Sequence, residues 1–285
     1  MSCPECFQGS VHEGEPRGKV IKLHGLDTYA TEPADGRAPR GIIVIVPDAF
    51  GWEFVNNRLL ADHYADKGDY KVYLPDFMLG HSASLGMLHS VRGFNTGSLL
   101  WKPYYIISAL SGFIPFAYHN RFGKSYPLVQ SFFQSLRADE AEGSSLPVGV
   151  AGFCWGGKHA VLLSATADDA VAGRRPLVDA AFTGHPSRLA LPADINAIRK
   201  PVAFAIPEKD NQVSPEQAEV IRGIVEGKED AGARGEVVVY EGCAHGFCVR
   251  ADLKFKDSEV ARQAALAEDQ CIAWFNAKLG LTATA

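Results

Sequence analysis

The sequence predicts an α/β protein with a mainly parallel central sheet flanked by helices and interrupted by one lid-like inserted segment. Two observations predict it. Short apolar runs rich in β-branched residues alternate with segments of helical spacing, and a glycine-flanked turn joins one such run directly to an Ala/Leu-rich helix. Alternation of this kind builds βαβ units with right-handed crossovers, which set the strands parallel and the helices on the faces.

The first element is Gly41-Ile42-Ile43-Val44-Ile45-Val46, which has no polar position on either side of its two-residue period and so suits a strand covered on both faces. From Asn56 to Lys67, Leu59, Leu60, His63, Tyr64 and Lys67 recur near helical spacing, and Gly68 marks the stop. Lys71 to Leu74, ended by Pro75, is the next strand. Between Gly80 and about Lys124 the rhythm gives way to a stretch rich in Gly, Ser, Pro and aromatics, too long for an ordinary connection and expected to lie over the active site. Its aromatics, among them Phe94, Trp101, Tyr104, Tyr105, Phe113, Phe116 and Tyr118, suit an apolar pocket wall. Alternation then resumes with a helix from about Pro127 to Glu142, a strand from Val148 to Gly152 and a helix from Trp155 to about Ala167. Strands Ala180 to Thr183, Val202 to Ile206 and Glu236 to Tyr240 follow, with helices from Pro215 to about Gly227 and from Ser258 to Leu279. With no internal repeat or linker, residues 1–285 are expected to form a single domain, residues 1–18 being an N-terminal arm.

Composition excludes several classes of partner. A net charge of −5, a pI near 6.0 and the lack of any run of like charges leave no footprint for nucleic acid or an anionic membrane. Met1 to Gly18 lacks the basic and apolar regions of a secretory signal, so a cytoplasmic location is expected. The most apolar stretch, Leu99 to Tyr118, contains Lys102, Pro103, Gly112 and Pro115; about eleven uninterrupted residues remain where a membrane span needs roughly 20, so it is expected as a lid or buried loop-helix segment. Cys3 and Cys6 have the C-x-x-C spacing of a zinc half-site or redox pair. Cys154, Cys243, Cys248 and Cys271 offer no second pair at that spacing, so no metal and no other cofactor is expected.

Chemistry concentrates at Gly152-Phe153-Cys154-Trp155-Gly156. In a nucleophile elbow the turn from strand to helix is so tight that the flanking positions must lack a bulky Cβ, while the nucleophile projects from a strained backbone. Gly152 and Gly156 supply that room and Cys154 takes the nucleophile's place, which specifies an α/β-hydrolase fold. The helix N-terminus beside it favours thiolate over thiol. A cysteine in acyl transfer also requires a histidine, and the histidine an orienting carboxylate, in the chain order nucleophile, acid, histidine. His245 follows the last strand in a glycine-flanked loop and is the best base; His185 follows the Ala180 strand and is a candidate pocket residue; His159 is expected on the surface of the elbow helix. Asp210 lies four residues past the Val202 strand and is the preferred acid, with Glu208 as the alternative.

These segments, together with Val46-Pro47-Asp48-Ala49-Phe50-Gly51-Trp52 and Leu74-Pro75-Asp76, resemble the dienelactone hydrolase family, and fungal members in particular, from about residue 40 to the C-terminus. The resemblance implies a metal-independent Cys-Asp-His triad acting on a small ester or enol-lactone. Cys154 is then the nucleophile, His245 the base and later acid, and Asp210 the orienting residue, with the backbone N–H groups of Ala49 and Trp155 as oxyanion hole. Where well-known bacterial members carry a glutamate that holds the resting cysteine as a thiol, this chain has the shorter Asp48. Arginines bind substrate carboxylates in the family; Arg250, Arg92 and Arg121 are the candidates here. The expected partner is a small-molecule ester or lactone, and a homodimer is compatible with the sequence. Two other readings use the same residues: a carbon–carbon lyase or cyclase of a biosynthetic pathway, since fold does not fix reaction, and a non-catalytic ligand-binding scaffold.

Overall fold

The computed structural model describes residues 9–139, 145–167, 175–254 and 258–279; Cys3 and Cys6 lie outside them. Its eight strands are β1 (Lys19–Leu23), β2 (Leu26–Thr31), β3 (Ile42–Val46), β4 (Lys71–Pro75), β5 (Val148–Phe153), β6 (Ala180–Gly184), β7 (Val202–Lys209) and β8 (Glu236–Ala244). They form one sheet in the order β1-β2-β4-β3-β5-β6-β7-β8. Every neighbouring pair from β4 to β8 is parallel, and β1 and β2 add an antiparallel edge. The apolar run of β3 sits at the centre with all five residues buried.

Nine helices are present among the described residues: α1 (Val55–Gly68), α2 (Gly86–Thr96), α3 (Lys102–His119), α4 (Phe122–Ala138), α5 (Trp155–Ser164), α6 (Ala193–Asn196), α7 (Pro215–Glu226), α8 (Phe247–Arg250) and α9 (Glu259–Lys278). Ser214 starts α7 with a reciprocal capping box to Gln217, and Ser258 caps α9 by accepting from the Ala261 N–H. Phe275 of α9 packs where β5 lacks a side chain: a Cβ at Gly149 would come within 2.6 Å of its ring. Burying that ring against β3 and β5 contributes about 2 kcal/mol by area.

Three departures from the sequence expectation have physical causes. The β1–β2 hairpin shows little apolar alternation in its outer strand, four of whose five residues are exposed. Its turn residues His24 and Gly25 both have positive φ, 47° and 86°, as a two-residue hairpin loop requires. The inserted segment, expected as a lid or buried loop-helix with aromatics for a pocket wall, folds into α2, a 3-10 turn at Leu99–Trp101 and α3, but leaves Trp101, Tyr104 and Tyr118 exposed because α3 packs on α2 through its opposite side. Helix α4 begins at Phe122, five residues before Pro127: Ser125 and Tyr126 in its first turns hydrogen-bond His159 and the Leu162 carbonyl of α5, contacts that help offset the cost of a proline inside the helix.

Candidate active site

The carboxyl ends of β3, β5, β7 and β8 meet at one edge of the sheet, where ligands of open α/β sheets bind. Cys154 stands between β5 and α5 with φ 51° and ψ −110°, a region that costs a non-glycine residue of order 1–3 kcal/mol. Neighbouring glycines make the turn possible. A Cβ on Gly152 would lie 2.3 Å from the Gly156 carbonyl oxygen, and one on Gly156 would lie 2.0 Å from that of Val46. The backbone is pinned by hydrogen bonds from Cys154 N–H to the Gly184 carbonyl and from the Gly157 and Ser187 N–H groups to the Cys154 carbonyl. The N–H groups of Ala49 and Trp155 have no hydrogen-bond acceptor among the described residues, so both remain available to an incoming oxyanion.

Bulge-like register shifts carry β7 to Lys209 and place Asp210 opposite the end of β8. There His245 Nδ1 lies 3.0 and 2.9 Å from the two oxygens of Asp210, and both side chains are fully buried. A carboxylate only accepts, so Nδ1 carries the proton and Nε2 is directed elsewhere. The other nitrogen, Nε2, is buried with no hydrogen-bond partner among the described residues, on an imidazole that interacts electrostatically with Cys154. Burial opposes the charge on His245, but attraction to Cys154 and the Asp210 hydrogen bond prevail and lift its pKa to about 10. Glu208 is exposed and accepts from the Gly242 N–H at 2.9 Å, which separates it from the imidazole and leaves Asp210 as its only carboxylate partner among the described residues.

Asp48 is buried beneath this group. One oxygen is ion-paired to Arg250 Nη1, and the other accepts from Asn57 Nδ2 at 3.1 Å and from Phe50 N–H at 3.2 Å. Burial pushes its pKa up; Arg250 opposes that shift and Cys154 adds to it, so the carboxylate lies within electrostatic reach of the thiol despite its shorter side chain. Arg250 is 1% exposed and its guanidinium also covers the Phe50 ring. Such a fork is already engaged, unlike an open carboxylate receptor. Of the other candidate arginines, Arg92 lines a cavity of about 570 Å³ with His89 and Lys254, and Arg121 stacks on Tyr118.

His185 is buried with φ 40°, its ring edge-to-face with His245 at 5.0 Å between centroids, and neither of its ring nitrogens has a hydrogen-bond partner among the described residues. Burial, then His245 and Arg250, push its pKa well below the usual value, so it stays neutral beside His245. His159 corrects the surface expectation. It is completely buried, with Nε2 2.9 Å from Ser125 Oγ and Nδ1 3.0 Å from the Trp155 carbonyl oxygen, because α4 closes over that face of α5. It therefore braces the residue that supplies one free N–H group. Two further residues escaped sequence reasoning: Asn57, whose role depends on a contact nine positions back in the chain, and Arg188, which with Lys158, Ser187 and Trp155 lines a cavity of about 190 Å³. The only sequence signal for the latter was the His-Pro-Ser-Arg loop itself, in which His185 and Arg188 both take positive φ.

Burial lowers the His159 pKa to about 4. Its contribution to stability is therefore complete above the unfolded value of about 6.5 and is lost as pH falls towards 4, at up to about 1.4 kcal/mol per pH unit. Urea titrations between these limits should show a shallower pH slope for His159→Gln than for the wild type; equal slopes would remove His159 from the acid response.

Comparison with known proteins bears on the whole arrangement. The family model described as "Dienelactone hydrolase family" matches residues 26–279. Hydrolase tropI of Talaromyces stipitatus is 28% identical over 282 residues, covering 97% of this chain and 95% of that protein. Dienlactone hydrolase 1 of Gibberella moniliformis is 24% identical over 87% of this chain and 84% of its own length. Among solved structures, the thermophilic esterase Est2 of Thermogutta terrifontis superposes with a TM-score of 0.58 at 18% identity, covering 94% of each chain. The dienelactone hydrolase of Anabaena variabilis gives 0.54 at 14% identity over 94% of this chain and 99% of that one. The chain, an α/β-hydrolase fold with its cysteine elbow at the sheet's edge, belongs to the dienelactone hydrolase family and is a hydrolase.

Proposed function

We propose that this hydrolase cleaves a small carboxylic ester or enol-lactone through a covalent intermediate on Cys154. The observation that carries the reading is His245, held through Nδ1 by both oxygens of Asp210 at 2.9 and 3.0 Å, with its buried Nε2 left free of protein partners among the described residues and its imidazole coupled electrostatically to Cys154. With the imidazole pKa raised to about 10, a thiolate–imidazolium pair is favoured at neutral pH.

The Cys154 thiolate attacks the carbonyl carbon, and the negative charge that develops on its oxygen is received by the Ala49 and Trp155 N–H groups. As the intermediate collapses, the carbonyl carbon–oxygen single bond breaks and His245 Nε2 gives its proton to the departing oxygen. In a lactone that oxygen stays tethered as the opened chain. Water then attacks the thioester, its proton passes to His245, and the thiolate leaves with the regenerated imidazolium beside it. Asp210 keeps Nδ1 protonated throughout and so keeps Nε2 directed at the reacting atoms. The chain itself supplies each of these groups. Arg188, on the rim of the small cavity beside Trp155, suits a substrate that bears a carboxylate.

Turnover of an activated ester or enol-lactone in 18O-labelled water tests the reaction class. Hydrolysis places one labelled oxygen in the product acid, whereas a product formed by cyclisation or carbon–carbon cleavage without labelled oxygen would reject the proposal.

A further inference from the structure

The helical insertion presents a surface that the acyl-transfer chemistry does not use. From Leu99 onward the chain turns apolar side chains outward: Leu99, Leu100, Trp101, Tyr104, Ile107 and Ile114 are 78, 88, 60, 59, 67 and 59% exposed. The opposite side of α3 is the packed one. Phe116 is buried, and Gly112 faces Met87 of α2 so closely that a Cβ there would lie 2.8 Å from its side chain. Scattered exposed hydrophobic residues are ordinary, but a contiguous row of this kind marks an interaction site.

Charge around the row is segregated. All 33 acidic residues of the chain lie outside residues 77–138, whereas that stretch holds Arg92, Lys102, Arg121, Lys124 and Arg137. Arg137 is buried against Asp179. Among the described residues, none of the other four has a carboxylate partner, although exposed cations elsewhere do, as in Arg17–Asp66, Lys67–Glu268 and Arg262–Glu259. Lys102 instead lies 5.0 Å above the Phe94 ring, and Arg121 and Lys124 lie 4.7 and 5.3 Å from that of Tyr118, at opposite ends of α3. The whole-chain charge of −5, which argued against a membrane partner, averages over this separation.

We propose that the Leu99–Trp101 turn and α3 dock on an anionic lipid bilayer, the apolar row entering the headgroup boundary and Lys102, Arg121 and Lys124 facing lipid phosphates. Interfacial helices combine these parts: an apolar face with Trp and Tyr, and cations placed to meet negative headgroups. The helix lies on the surface, since no helix among the described residues is long and apolar enough to cross a membrane. A second copy is the other occupant such a face could take. A two-fold contact would, however, set the row's unpaired cations against those of its twin, whereas an anionic bilayer offers the opposite sign. The proposal is independent of the chemistry at Cys154.

Sedimentation of the full chain with vesicles of phosphatidylcholine, with and without phosphatidylserine, tests it. Binding to the phosphatidylserine vesicles should be at least about tenfold tighter than to phosphatidylcholine alone and should weaken as salt screens the headgroups. Leu100→Glu and Ile107→Glu should each weaken binding by about tenfold or more while keeping wild-type circular dichroism and turnover of a soluble ester, as fits an interface that relies on buried apolar area. Lys102→Glu with Arg121→Glu should abolish the preference for phosphatidylserine. Failure of the wild type to sediment with phosphatidylserine vesicles, or unchanged binding by the Leu100 and Ile107 variants, overturns the proposal. A dimer in analytical ultracentrifugation that Ile107→Glu splits, without vesicle binding by the wild type, overturns it in favour of a second copy.

Discussion

Cys154→Ala lowers kcat for an activated ester by roughly 10⁴-fold or more, the scale on which removing a covalent nucleophile acts in comparable hydrolases. The fold survives the change. The substitution deletes a single sulfur atom from a buried position, retains a small side chain in the strained turn and leaves every backbone hydrogen bond of the elbow in place. Its stability cost should not exceed about 1–2 kcal/mol, measured by urea denaturation. Cys154→Ser separates nucleophile identity from geometry. A hydroxyl at the same position has no accessible anion at neutral pH, so it depends on His245 as general base rather than on a preformed ion pair, and should recover only a small part of the lost rate. Undiminished turnover by the alanine variant would remove Cys154 from the mechanism.

Arg250→Met destabilises the protein by about 3–5 kcal/mol, because it leaves the Asp48 carboxylate buried without its countercharge. The same change removes the guanidinium that covers Phe50 and packs so close to Gly246 that a Cβ there would meet it at 2.1 Å. Asp48→Asn is destabilising for the complementary reason: the amide cannot neutralise a buried guanidinium. The double variant Asp48→Asn with Arg250→Met should lose less than the sum of the two, since each single change creates the unpaired charge that the other removes. Strict additivity in urea denaturation would show that the pair does not act as a unit. Because Asp48 also lies within electrostatic reach of Cys154, the single variants should shift the pH dependence of Cys154 alkylation as well.

The central parallel strands were legible in the sequence because they are buried on both faces and therefore read as apolar runs, β3 most plainly, whereas the edge strand β8 alternates between buried and exposed positions. Cys154, Asp210 and His245 were legible as a set because each closes a strand and the fold imposes their order. What escaped depends on contacts between distant segments. His159 was assigned to the surface from its place on α5 alone; only the closure of α4 brings Ser125 to its ring. Arg250 was offered as a carboxylate receptor from its distance to His245, and its engagement with Asp48 is a contact across 202 positions. The β1–β2 hairpin was missed because an exposed outer strand lacks a strong apolar signal, and the exposure of α3, in a stretch expected as a lid or buried loop-helix, because its apolar residues face outward. That inversion of the usual pattern is also what singles out α3 as a surface with a partner.

Rapid-quench intact mass analysis of the wild-type protein during turnover of an activated ester tests the covalent pathway most directly. The mass should rise by one acyl group before the steady state, and digestion should map the adduct to Cys154. A steady state reached with no acyl adduct, or an adduct confined to Cys243, Cys248 or Cys271, would contradict it.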